Sequence, residues 1–246
     1  MNYQEDLAVK SYCFREFKDA DTLASMVRDC GVNCVDISRC HIDFDSQANQ
    51  EKLLATLANA GVQIVGLGVV PLSGDIASDR KYYDFCKLVG CDTLSVTFEP
   101  ANQANVFRVI EQLGGKYGMR CAIHNHGGHH WLGNRTIMQH LFTIAPERLG
   151  LCLDTAWALD ATENPVDWAK ATGRRLFATH LKDFTFNVQG EPADVVLGHG
   201  GLDLPAYLQA LKAIAFDGPF IIEYEGDSHN PMPALQECVR IVRGLL

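Results

Sequence analysis

Short apolar runs alternate with longer stretches in which apolar residues recur at i, i+3, i+4 and i+7, and the alternation continues along the chain without a linker-like break. The runs predict eight strands: Leu7–Tyr12, Asn33–Ile37, Val62–Leu67, Thr93–Thr97, Met119–His124, Leu149–Asp154, Leu176–His180 and Pro219–Glu223. The stretches between them predict helices, with stripes such as Leu23, Met26, Val27 and Cys30, or Val106, Val109, Ile110 and Leu113. The same stripe recurs as Leu204, Tyr207, Leu208 and Leu211, and as Leu235, Cys238, Val239 and Val242. Glycines follow at Cys30-Gly31, Ala60-Gly61, Val89-Gly90 and Asp217-Gly218, where a left-handed residue closes a helix at little cost. Strands this apolar are covered on both faces. Eight strand–helix units therefore predict an α/β fold, a single (β/α)8 TIM barrel occupying residues 1–246 as one domain. An open doubly wound sheet is the alternative. Neither a G-x-G-x-x-G after the first strand nor a P-loop supports it, and H-E-x-x-H and G-x-S-x-G are absent as well.

Composition narrows the function classes. With 47% hydrophobic and 21% charged residues the chain reads as a soluble globular protein. Its 21 Lys and Arg against 30 Asp and Glu give 21 − 30 = −9, and no basic run occurs, so nucleic acid is not an expected partner. The longest apolar stretch, Gly61 to Leu72, is broken by Gln63 and Pro71 and falls short of the roughly 20 residues that span a bilayer. No membrane segment is expected. The start, MNYQEDLAVK, lacks the apolar core of a secretory signal, so a cytoplasmic location is expected. Nine cysteines scattered from Cys13 to Cys238 fit reduced thiols better than a disulfide framework, and Cys30 and Cys34 lack a second pair to make a zinc site.

Catalytic groups of such a barrel sit where the strands end, on one rim. The last four predicted strands end in Ile123-His124, Leu153-Asp154, Thr179-His180 and Ile222-Glu223. Four neighbouring strands thus each present a metal-ligand side chain. Two imidazoles and two carboxylates suit one divalent ion and leave room for substrate oxygens or water. A lone strand-end carboxylate is more often a cap or turn residue; four in succession are not so easily dismissed.

The stretches IHNHGG (123–128), GLCLDTAWA (150–158), HLKDF (180–184), LGHGGLD (197–203) and FIIEYEGD (220–227), with KSYCFREF at 10–17, resemble the xylose-isomerase-like TIM barrel superfamily. This group comprises sugar phosphate isomerases and epimerases and includes apurinic endonucleases of the endonuclease-IV type. The resemblance implies that His124, Asp154, His180 and Glu223 hold the metal, with manganese the first choice and zinc, cobalt or iron as alternatives. It also implies a small-molecule sugar substrate. Most of the family carries glutamate at the position of His124, followed by Asn and His as in Asn125 and His126. In the ketose 3-epimerases of the group two ligand glutamates act as the acid/base pair, and a metal-bound imidazole does not readily take that part. The departure favours elimination over plain two-glutamate epimerisation.

Around the ligands, Glu223, His126 and Lys182 are the expected catalytic groups, and Asn125, Glu225 and Trp157 the expected substrate-binding ones. Lys182 shares the strand parity of His180, so its ammonium can steady an enediolate oxygen; the alternative is a solvated surface lysine. His126 is read as a base or a partner for a sugar hydroxyl, against a merely packed histidine. Glu225 and Asp183 can orient ligands. Glu99 at the end of the fourth strand is a further pocket-wall candidate. His129, His130 and Trp131 lie on the fifth loop, and Gly198, Gly200 and Gly201 lie where barrels often bind phosphate through backbone amides. The expected function is a divalent-metal-dependent keto-sugar isomerase or epimerase working through a metal-stabilised enediolate. A lyase eliminating from 3-keto-glycosides is the alternative. An abasic-site endonuclease is disfavoured by the negative charge and by Trp157, which stands where those nucleases carry a second histidine. The chain leaves room for a homo-oligomer.

Overall fold

The apolar runs do become strands covered on both faces. The structure, a computed structural model, describes residues 7–246. Strands β1 (Leu7–Lys10), β2 (Cys34–Ile37), β3 (Gln63–Pro71), β4 (Thr93–Thr97), β5 (Arg120–His124), β6 (Leu149–Asp154) and β7 (Leu176–Leu181) are followed by β8 (Asp183–Phe186), β9 (Pro192–Val195) and β10 (Phe220–Ile222). Eight of them close a parallel barrel in the order β1-β2-β3-β4-β5-β6-β7-β10. Helices cover it outside, many opened by an acidic, amide or hydroxyl cap: Asp19, Ser46, Asp75, Asn134, Asn164 and Asp203 each accept from a backbone N–H in the first turn. The core between barrel and helices holds the bulk, including Phe14, Tyr83, Trp168 and Tyr207.

Several element bounds differ from the expectation. The first strand stops at Lys10 because Ser11–Phe14 coils into a 3-10 turn. The third runs on to Pro71, and the eighth barrel strand ends at Ile222, one residue before Glu223. β8 and β9 were not expected; they pair antiparallel as a hairpin set into the loop after β7. Gly31, Gly61 and Gly90 adopt the left-handed conformation expected of them. Gly218 does not, and its reason is close packing: a Cβ there would overlap the carbonyl of Phe177.

Inside the barrel the strand alternation sorts residues by height. Ala8, Cys34, Ala122, Cys152, Ala178 and Ile221 are small or apolar and form two buried clusters apart from the main core. Two residues further along each of the same strands stand Lys10, Asp36, His124, Asp154, His180 and Glu223. All six are buried. The barrel is therefore plugged with small apolar side chains below and ringed by polar ones at the end where its strands finish.

Candidate metal centre

Each ligand candidate is placed by its strand. His124 closes β5, Asp154 closes β6, His180 lies next to last in β7 and Glu223 follows β10, whose extension is held by a Glu223 N–H donating to the Leu181 carbonyl at 3.0 Å. One ligand atom from each of the four falls within 4.8 Å of all the others. Nε2 of His124 lies 3.1 Å from Nδ1 of His180 and 3.6 Å from Oδ2 of Asp154, and Nδ1 of His180 lies 2.7 Å from Oε2 of Glu223.

Four buried polar side chains so close together should satisfy one another, yet these do not. His124 Nδ1, Asp154 Oδ2 and His180 Nε2 are buried without a hydrogen bond among the described residues, and Glu223 Oε2 has only its ion-pair contact with His180. Unmade bonds of this kind cost about 1–3 kcal/mol each, so a cluster of them asks for a missing partner. Two imidazole nitrogens and two carboxylate oxygens within one small span fit a single divalent cation of the class that accepts mixed nitrogen and oxygen ligands. The remaining oxygen of Asp154, Oδ1, accepts from Trp157 N at 2.9 Å and caps the helix Thr155–Asp160, which fixes the carboxylate's orientation.

Burial by itself would push the Glu223 carboxyl up, but His180, Lys182 and Lys10 outweigh it and hold it well below the usual carboxylate range. It is a carboxylate at any ordinary pH. Burial, with the imidazoles of His124 and His130 beside it, pulls His126 down to about 3, so its ring is neutral. That ring lies 5.1 Å from the His124 ring and 4.4 Å from the His130 ring.

The family described as xylose isomerase-like TIM barrel matches residues 24–244. This chain belongs to it. No curated protein matches the sequence. Solved structures that resemble this xylose isomerase-like barrel include a xylose isomerase domain protein from Planctomyces limnophilus, at 17% identity and a TM-score of 0.76, covering 100% of this chain and 98% of that one. A D-allulose 3-epimerase from Methylomonas sp. has 15% identity and a TM-score of 0.74, with 100% of both chains covered. A 3-keto-D-glucoside 4-epimerase from E. coli has 14% identity and a TM-score of 0.73, covering 97% of this chain and 99% of that one. Identities this low carry the fold alone.

In this family member the other candidates fall out as follows. Lys182 is no solvated lysine: only 1% exposed, it is ion-paired with Glu225 and lies 3.7 Å from Asp194 of the hairpin. Its Nζ also sits 5.3 Å from the ring centres of both Trp157 and Phe184. Asp194 went unnoticed in the sequence because the hairpin that carries it did. Asn125 corrects an expectation. Its amide is spent on the neighbouring strand, donating to Asp154 O at 3.0 Å and accepting from Asp154 N at 2.7 Å, so this fully buried side chain braces a ligand instead of facing a substrate. The glycine loop is likewise not open to phosphate, since Asp183 takes the amides of Gly198, Gly200 and Leu202 at 2.9–3.0 Å. His130 accepts from Leu132 N and so shapes its own loop, and Glu99 is exposed.

A cavity of about 350 Å³ opens onto the cluster, lined among others by Lys10, His124, His126, Trp157, Glu223 and Glu225. No disulfide forms among the described residues. No helix among the described residues is long and apolar enough to cross a membrane.

Proposed function

We propose that this barrel is a divalent-metal-dependent isomerase or epimerase of an unphosphorylated keto-sugar, acting through an enediolate. The observation that carries the reading is the convergence of one ligand atom from each of the buried side chains His124, Asp154, His180 and Glu223 within 4.8 Å, beside a cavity of sugar size. When bound, a divalent ion supplies Lewis acidity to a carbonyl and its neighbouring hydroxyl, which lowers the barrier to removing the proton between them. Glu223, a buried carboxylate lining the cavity, is the group assigned to take that proton. Lys182, fixed by Glu225 and Asp194, presents a positive charge that favours the enediolate oxygens. His126 is neutral and offers a hydrogen bond to a sugar hydroxyl, while Trp157 and Glu225 form the wall against which a ring lies. That Asp183 already takes the amides of Gly198, Gly200 and Leu202 supports a substrate without phosphate.

One observation favours a second reading. Glu223 is the only carboxylate of the cluster without a structural duty, because Asp154 spends Oδ1 on its helix cap. A single free carboxylate suits elimination from a 3-keto-glycoside, which needs one base and a leaving group, better than proton exchange on two faces.

Both readings meet one test. Protein loaded with manganese, zinc or cobalt is incubated in deuterated water with a panel of unphosphorylated keto-sugars and 3-keto-glycosides, and the carbon next to the carbonyl is followed by NMR and mass. Deuterium entering that carbon supports proton abstraction, and release of an aglycone separates the lyase from the isomerase. Full retention with transfer of a substrate label between neighbouring carbons shows a hydride shift and rejects the proposal.

A further inference from the structure

The polar ring at the mouth of the barrel has a half that the metal reading leaves unused. Lys10 closes β1 and Asp36 lies next to last in β2; the two lie opposite one another in the sheet register and form an ion pair in which the side chains are each only 2% exposed. Lys10 also donates to the Gly68 carbonyl at 2.6 Å. The neighbouring strand is cut back to admit them: a Cβ on Gly66 would overlap the Asp36 carboxylate. The sheet register shifts at Val35/Asp36, the place where the pair is seated.

Such a pair is an expensive way to fill space. Replacing a buried ion pair with apolar residues of similar volume is often neutral or stabilising, so its presence is weak evidence for a purely structural duty. Its position is also informative, since polar groups at the end of a barrel where the strands finish meet the substrate, whereas those at the other end serve stability. An ammonium has three donors. Two are spent on Asp36 and Gly68, which leaves the third for another acceptor. Lys10 lines the same 350 Å³ cavity as His124 and Glu223, on β1, the strand that pairs with β10, which Glu223 follows.

We propose that Lys10 is a substrate-contacting residue whose third N–H bonds a substrate oxygen that gains negative charge in the reaction, with Asp36 as the residue that positions it. The inference rests on the enediolate reading above and deepens it. Together with Lys182 it gives the site two buried cations. The charge that the substrate develops is then held from several directions, and no step requires Lys10 to lose its proton. The pair also explains why β3 carries glycine at position 66: the side chain it lacks is the room Asp36 takes.

The experiment uses metal-loaded full-length protein and acetohydroxamate, a planar chelator that imitates a metal-held enediolate. Lys10→Gln/Asp36→Asn removes both charges together, so neither is left buried alone. Calorimetry first checks zinc affinity, which the double variant should keep within about threefold of wild type. Acetohydroxamate should then bind the variant at least tenfold more weakly, as expected for the loss of a hydrogen bond from a charged donor. Equal acetohydroxamate affinity in the two proteins overturns the proposal, as does failure of metal-loaded wild type to bind the probe at all. Should the double variant not fold, Lys10→Met/Asp36→Leu replaces the pair with apolar groups and meets the same criteria. The proton-exchange assay is separate: if wild type binds acetohydroxamate through Lys10 but exchanges no proton on any sugar, the isomerase reading fails and the Lys10 contact stands.

Discussion

Two buried carboxylate systems sit three residues apart along the chain and are treated in opposite ways. Asp183 has three backbone amides directed at it, from Gly198, Gly200 and Leu202, and these bonds fold the loop after β7 around its side chain. The cluster that includes His180 is as deeply buried, yet His124, Asp154 and His180 each keep a polar atom without a hydrogen bond among the described residues. Both carry charge at the same end of the barrel. The difference teaches that burial alone does not mark a functional group. What marks it is a buried polar atom that the chain has placed and left unsatisfied.

The contrast can be tested through substitutions that act on one system and spare the other. The largest effect is expected at Glu223→Gln, which keeps the shape of the ligand but removes the base. Deuterium exchange into the substrate carbon should fall a hundredfold or more, the usual scale for a general base, while part of the metal affinity is kept. Wild-type exchange in this variant moves the base elsewhere, with His126 next to be replaced. Asp183→Ala should act on stability instead, because three amides lose their acceptor together. A loss of about 3 kcal/mol or more is expected, which calorimetry would register as a melting temperature lowered by roughly 6–12 °C. An unchanged melting point would dissolve the contrast.

Asp154→Ala should weaken zinc or manganese binding at least tenfold by calorimetry, since even residues behind the ligands cost 10–100-fold in metal sites. The pH dependence sharpens this. Burial opposes a charge on His180, but the Cys152 sulfur and the Glu223 carboxylate outweigh it, so its pKa stands well above the ordinary imidazole value. The ion must displace that proton. Below the raised pKa, metal affinity should therefore drop by about tenfold per pH unit for each proton released, and rise again as the pH rises. Affinity independent of pH between 5 and 8 would remove His180 from the ligand set. The smallest expected effect is none: duplex DNA with an abasic site should show no shift and no nicking at low salt, because an acidic chain without a basic run releases few counterions. Cleavage at catalytic protein concentrations would displace the sugar reading.

Much of the barrel was legible because its strands are short, apolar and evenly spaced, and the rim cluster because four ligand-type residues end four successive strands. Parity supplied the rest: residues two apart on a strand share a face, so His124, Asp154, His180 and Glu223 converge once the barrel closes. The hairpin was not legible. Asp183–Phe186 and Pro192–Val195 are four residues each and lie where a barrel loop is expected, so no periodicity distinguishes them. Lys10 and Asp36 were missed for another reason. A lysine at the end of a strand reads as a side chain reaching solvent, and its partner and the glycine that makes room come from different strands, brought together only by the sheet. Gly198, Gly200 and Gly201 were ambiguous in the other direction: with no Lys or Arg beside them a phosphate was not favoured, but an amide nest built for an internal carboxylate has the same sequence look as one built for phosphate.

The ligand strands are also tied to one another outside the ladder of the sheet. Asn125 clasps Asp154 from both sides of its peptide, and Thr155 Oγ1 reaches the carbonyls of His180 and Lys182 at 3.2 and 2.6 Å. These struts join β5, β6 and β7 at the height of the centre. An incoming ion therefore finds its cage already assembled and spends none of its binding free energy on folding. Stripping with a chelator should leave a barrel of unchanged far-ultraviolet circular dichroism, and restoring the ion at a thousand times its Kd should add about 4 kcal/mol of stability through mass action alone.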